Sequence, residues 1–210
     1  GDSPGKGGYP SRLLSLLSPD YPDSTLSNLA VSGHTSQDLI NIQLDAAVTE
    51  LAGAPAGNVK MALVWIGSND LFGLYATDVC TEYYPDLETC ESVEMNNMVE
   101  NINTILERLS AAGAQVYIAL LDDQSRRPVI ADAALRNDAF PGISAAEIPR
   151  MAAQTAYYND QVRAQAATHD ATLVDFYGTT IFETAATLDS DGNHPNSSGY
   201  DAIAGIWYQA

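Results

Sequence analysis

Apolar runs of strand length alternate with longer segments of helical period along most of the chain. Residues 59–66 (VKMALVWI) are almost continuously apolar, the pattern of a strand covered on both faces. Residues 115–121 form a second buried run and 172–176 a third, and 25–31 is a short β-prone stretch. Between them, 36–51 carries Leu39, Ile40, Ile42, Leu44, Ala47, Val48 and Leu51 at mixed helical spacings. A helix is predicted over 95–112, with Met98, Ile102, Ile105, Leu106 and Leu109 along one stripe and Gly113 as its stop. A long helix is expected over 148–168 and a closing one over 198–208. Alternating β and α elements predict an α/β fold, a parallel sheet with helices on both faces.

Two stretches break the alternation. Residues 71–92 hold both cysteines, and 122–147 hold Pro128, Pro141 and Gly142. They read as loop insertions, which at this length are uncommon unless functional. Both follow predicted strands, and ligand sites in open α/β sheets gather at strand carboxyl ends. They are expected to wall a substrate pocket.

At 210 residues the chain fits one domain, and 1–210 is read as such; it shows no internal repeat, low-complexity tract or linker. No apolar run approaches the roughly 18 residues of a membrane span, so stable membrane insertion is not expected. Acidic residues outnumber basic ones 27 to 9, a formal net charge of −18. Such a surface repels phosphate backbones, which excludes nucleic acid as a partner and disfavours anionic membranes. Cys80 and Cys90 have no histidine near them in sequence and too few companions for a metal site. They read as a disulfide worth roughly 2–3 kcal/mol on the chain-entropy model. A disulfide implies an oxidising compartment, hence a secreted or extracytoplasmic protein. The chain begins with Gly1 and shows no signal peptide, which a processed or incomplete N-terminus explains.

Acyl transfer needs an activated nucleophile, a base, a group orienting that base, and donors for the developing oxyanion. The G-x-S-x-G elbow is absent. Instead Gly1-Asp2-Ser3 stands at one end and Asp191-Gly192-Asn193-His194-Pro195 at the other. Between them Ser32-Gly33-His34-Thr35 and Gly67-Ser68-Asn69-Asp70 each come directly after a predicted strand. These four pieces, in this order, resemble the blocks of the SGNH (GDSL-type) hydrolase family. The resemblance implies a flavodoxin-like three-layer α/β/α sandwich. It also implies hydrolysis of carboxylic esters through a serine triad, of the esterase, lipase or acetylesterase type, with no metal or cofactor.

Carried over by position, Ser3 would be the nucleophile and His194 the base that takes and returns its proton. Asp191, three residues earlier, would fix the imidazole tautomer in the family's D-x-x-H spacing. The oxyanion hole would comprise the backbone N–H groups of Ser3 and Gly33 with the side-chain amide of Asn69. Asp70 is expected to hold its loop, His34 to line the pocket, and His169 to cap a helix end. Asp189, a nearby rival to Asp191, does not fit the spacing. A calcium loop over 189–200 fails because His194 and Tyr200 stand where Gly and Glu are required. A phosphate-binding loop fails because Gly7 comes after Lys6. Substrates would be small-molecule, glycan or lipid esters. The alternatives are an acyltransferase using the same residues, or a non-catalytic carbohydrate- or lipid-binding domain of the same fold. In this family a buried strand leads into the first block, and none precedes Gly1, so the sheet is expected to lack its first strand.

Overall fold

The computed structural model describes residues 7–77 and 79–210. Helix α1 (Tyr9–Leu17) comes first, then α2 (Ser36–Asp38), a π-helical turn (Leu39–Gln43) and α3 (Leu44–Gly53). Strand β1 (Met61–Val64) leads into α4 (Ser68–Ala76), α5 (Val79–Tyr83) and the long α6 (Leu87–Ala111). Strand β2 (Gln115–Leu120) leads through a 3-10 turn (Gln124–Arg126), α7 (Pro128–Ala131) and α8 (Ala133–Ala139) to α9 (Ile148–Thr168). Strand β3 (Thr172–Asp175) and α10 (Ser197–Gln209) complete the described chain.

The strands pair in parallel in the order β1-β2-β3, with Ala62 opposite Val116 and Ile118 opposite Leu173. Successive side chains of a strand point to opposite faces, and here both faces are covered. Val64, Val116, Ile118 and Leu120 join a core with Leu44, Met98, Ile105 and Val162 of α3, α6 and α9. Ala119 and Val174 join Tyr9, Leu13, Ile203 and Trp207 of α1 and α10 on the other side. The result is the three-layer α/β/α sandwich with a parallel sheet. No helix among the described residues is long and apolar enough to cross a membrane.

Three differences from the sequence pattern have local causes. Residues 25–31 form no strand. Among the described residues β1 is an edge of the sheet, and 25–31 faces it across a cleft of about 1030 Å³, too far for the pairing that makes a strand. Among the described residues no strand pairs with the outer edge of β1. Helix α6 starts at Leu87, well before the apolar stripe, because the Asp86 side chain accepts the Thr89 N–H at 2.7 Å and caps it. The stretches 71–92 and 122–147 are largely short helices rather than open loops.

Within the first of these stretches Cys80 and Cys90 are joined, tying α5 to α6. Beside Cys90 the buried Glu91 accepts Tyr75 Oη at 2.7 Å, Arg150 at 2.6 and 2.9 Å, and Gln154 at 3.2 Å. This cluster joins α4, α6 and α9. Burial, then the bond to Glu91, pushes the Tyr75 phenol well above its ordinary pKa.

Candidate active site

Immediately after β1 the chain turns through Gly67, whose φ of +107° lies in the left-handed region that side chains disfavour. A Cβ at this position would meet Tyr158 Oη at 2.7 Å and Cζ at 2.8 Å. Tyr158 is fixed there by donating to the Ile66 carbonyl at 2.9 Å. The turn opens α4, which carries Asn69 and Asp70 in its first turn.

Asn69 donates from Nδ2 to the His34 carbonyl at 2.9 Å, so the second and third sequence blocks touch directly. One of its two amide hydrogens is used in this way and the other remains available. Asp70 accepts the Ser36 N–H at 2.9 and 3.1 Å and the Ser36 hydroxyl at 2.6 Å. Asn101 on α6 donates to the same hydroxyl at 3.0 Å. Burial raises the Asp70 carboxyl, against the pull of the Ser36 bonds. Thr35 caps α2 in a reciprocal box with Asp38, whose carboxyl the Thr35 bonds hold below its ordinary value. Gly33, at φ +84°, has no atom within 4 Å of where a Cβ would sit, so its backbone lies open to the cleft. His34 lines the cleft with its Nδ1 3.0 Å from Gln43 Oε1.

At the other end of the chain Asp191 and His194 form a closed turn. His194 Nδ1 lies 2.6 Å from Asp191 Oδ2, and the N–H groups of Asn193 and His194 donate to Asp191 Oδ1 at 2.9 and 3.0 Å. Burial alone would raise the Asp191 carboxyl. The bonds from His194 and Asn193, with the charge of His194, hold it below its ordinary value instead. Asp189 contributes only its backbone here, accepting the Gly192 N–H and donating to the His194 carbonyl at 2.8 Å. His194, Gly33 and Asn69 line one and the same cleft. His169 is the C-cap of α9, as expected, its backbone N–H donating to the Gln165 carbonyl at 3.0 Å, while its Nε2 lies 2.8 Å from Asn103 Oδ1.

Ser3 lies outside the described residues. Helix α1, a few residues downstream of it, is anchored close to the His194 turn. Arg12 on this helix donates to the Ser197 carbonyl and pairs with Asp201 on α10, both at 2.6 Å. Tyr9 stacks on Trp207. Six peptide links from Ser3 to Tyr9 reach at most about 20 Å.

Sequence reasoning missed one participant. Arg127, buried on the cleft wall, makes a forked ion pair with Asp122 and donates to Asn193 beside the histidine. The available signal was a doublet, Arg126-Arg127, just after a strand in a chain with nine basic residues. Among the described residues no group of three or more His, Cys, Asp or Glu side chains could hold a metal ion.

The model of the GDSL-like Lipase/Acylhydrolase family matches residues 1–202. No curated protein matches the chain in sequence. Among solved structures it is similar to the psychrotrophic esterase EstA from Pseudoalteromonas sp., determined with monoethylphosphonate as inhibitor. The TM-score is 0.62 and the identity 19%, over 96% of this chain and 84% of that one. It is also similar to Axe2, an acetylxylan esterase from Geobacillus stearothermophilus, with a TM-score of 0.67 and 17% identity over 96% and 80%. Catalytic mutants of Axe2 are described with a serine or a histidine replaced by alanine. LAE5, a hydrolase from the metagenome of Lake Arreo, matches with a TM-score of 0.66 and 22% identity over 96% and 80%. With the family model spanning nearly all of the chain, the protein belongs to the GDSL-like lipase/acylhydrolase family.

Proposed function

We propose that this protein, acting as a single hydrolase domain over residues 1–210, hydrolyses carboxylic esters through an acyl-enzyme. Ser3 is the nucleophile, His194 the general base and Asp191 its orienting partner. The observation that carries the reading is the 2.6 Å contact of His194 Nδ1 with Asp191, on the same cleft as Gly33 and Asn69. Asp191 holds the proton on Nδ1, which leaves Nε2 as the basic nitrogen.

His194 Nε2 takes the proton of Ser3 Oγ as that oxygen attacks the ester carbonyl. Negative charge collects on the carbonyl oxygen, where the N–H groups of Ser3 and Gly33 and the free hydrogen of Asn69 donate to it. Each such donor is worth roughly 3–4 kcal/mol of barrier. Collapse breaks the ester C–O bond, and His194 returns the proton to the departing alcohol. A water then enters by the same route, giving the free acid and restoring Ser3. The Cys80–Cys90 disulfide supports an oxidising, extracytoplasmic setting for this chemistry.

Family membership and the esterase neighbours support ester hydrolysis, and inhibition of EstA by a phosphonate suggests the probe. Burst kinetics on a short-chain aryl acetate and stoichiometric labelling by an alkyl phosphonate at Ser3 are expected. Labelling that persists in Ser3→Ala overturns the nucleophile assignment. Ligand binding unchanged by Ser3→Ala, with no turnover on any ester, would show a binding domain instead.

A further inference from the structure

The bonds inside the 191–194 turn fix the His194 ring relative to Asp191, but not the turn relative to the sheet. The His194 side chain is 66% exposed, so packing does not hold it in place. A catalytic group must nevertheless stay within about 0.5 Å of its working position. Something outside the turn has to locate it.

Asp122, almost fully buried two residues beyond β2, supplies the anchor. Arg127 closes a fork on its carboxylate, with Nε on Oδ2 at 2.7 Å and Nη2 on Oδ1 at 2.6 Å. The third arm, Nη1, donates to Asn193 Oδ1 at 2.8 Å. The guanidinium lies 4.6 Å above the Phe182 ring and 5.9 Å from that of Phe72, which fixes its plane. A parallel backbone bond runs from the Val129 N–H to the Gly192 carbonyl at 3.1 Å. The central strand is therefore linked rigidly, through Asp122 and Arg127, to the residue next to the histidine.

We infer that Arg127 is a positioning residue for catalysis, setting His194 against the nucleophile through Asn193. The inference rests on the reading of His194 as general base. Arginine suits the task because one planar fork engages the carboxylate while its remaining nitrogen reaches the amide oxygen, which lysine cannot do.

Arg127 and Asp122 are poor first targets, because removing either leaves the other as an unpaired buried charge. Asn193→Ala keeps the ion pair and removes only the link. It should fold with a melting temperature near wild type, lower kcat by about tenfold or more and leave KM unchanged, the signature of lost transition-state alignment. Asn193→Asp retains an acceptor for Arg127 and should restore most of kcat. The proton on His194 Nδ1, observed by NMR among only three histidines, should broaden in Asn193→Ala and not in Asn193→Asp. His194→Ala, assayed in parallel, separates the two ideas. An active His194→Ala protein overturns the base assignment, and this inference with it. An inactive His194→Ala protein beside an Asn193→Ala protein within twofold of wild-type kcat overturns the positioning role alone. So does an Asn193→Asp protein as slow as Asn193→Ala.

Discussion

Replacing Gly67 by alanine tests how the end of β1 delivers Asn69 to the cleft. Two penalties arise together. The residue sits at φ +107°, outside the range an L side chain adopts without strain, at a cost of about 1–3 kcal/mol. The new Cβ would also lie 2.7 Å from Tyr158 Oη, 2.8 Å from Cζ and 3.2 Å from the Met98 methyl. Tyr158 is fully buried and bonded to the Ile66 carbonyl, so it has little room to move. Forcing it aside costs about 1–3 kcal/mol of overpacking. Where the Ile66 bond breaks as well, an unsatisfied buried group adds about 1–3 kcal/mol. The expected loss is about 2–6 kcal/mol from the two penalties, and up to about 9 kcal/mol if the bond is lost as well, a large share of a typical domain's stability. Gly73, inside the helix that Gly67 opens, is the control. Nothing lies within 4 Å of its would-be Cβ, so Gly73→Ala should gain about 0.5–1 kcal/mol from helix propensity alone. Urea unfolding at neutral pH, with m-values compared, measures both. The reasoning is refuted if Gly67→Ala costs less than about 1 kcal/mol, or if both variants move in the same direction.

The site and the sheet lead to two further expected outcomes. The Asp191 carboxyl is lowered in the folded state, so its contribution to stability is present above the ordinary carboxylate value near 3.9 and fades as pH falls through the lowered one. The stability gap between wild type and Asp191→Asn, below about 1 kcal/mol for so exposed a group, should therefore close as the solution is acidified from about pH 5 downward, the range in which this carboxyl takes up its proton. A gap that widened on acidification would reverse the sign and defeat the argument. Six apolar, β-prone residues placed ahead of Gly1 should pair with the edge of β1 that is open among the described residues, beside 25–31 and away from the end of the cleft that holds Gly33, Asn69 and His194. A gain of about 2 kcal/mol there would raise Tm by roughly 4–8 °C and should increase ester hydrolysis. Identical melting and turnover with and without the added residues would refute it.

Much of this protein was legible along the chain because the signals are local. The runs at 59–66, 115–121 and 172–176 became β1, β2 and β3, since a strand with helices on both faces is apolar along most of its length, although Met61 and Leu173 stay exposed. Helix α9 kept its predicted limits, and Asp191 and His194 needed only a three-residue turn to meet. Helix α1 was not foreseen, because its apolar positions Tyr9, Leu13 and Leu17 gain meaning only against α10. Residues 25–31 have the composition of a strand, but a strand exists only with a partner edge, and among the described residues none pairs with them. The joins that build the site are of the same kind: Asn69 to His34, Asp70 to Ser36, and Asp122 through Arg127 to Asn193, which bridges 66 positions between its last two members. Residue types and short spacings carried the candidate chemistry. Which side chains hold that chemistry in place was decided by packing, because hydrogen bonds and ion pairs between distant segments depend on where the fold brings them and leave no period in the sequence.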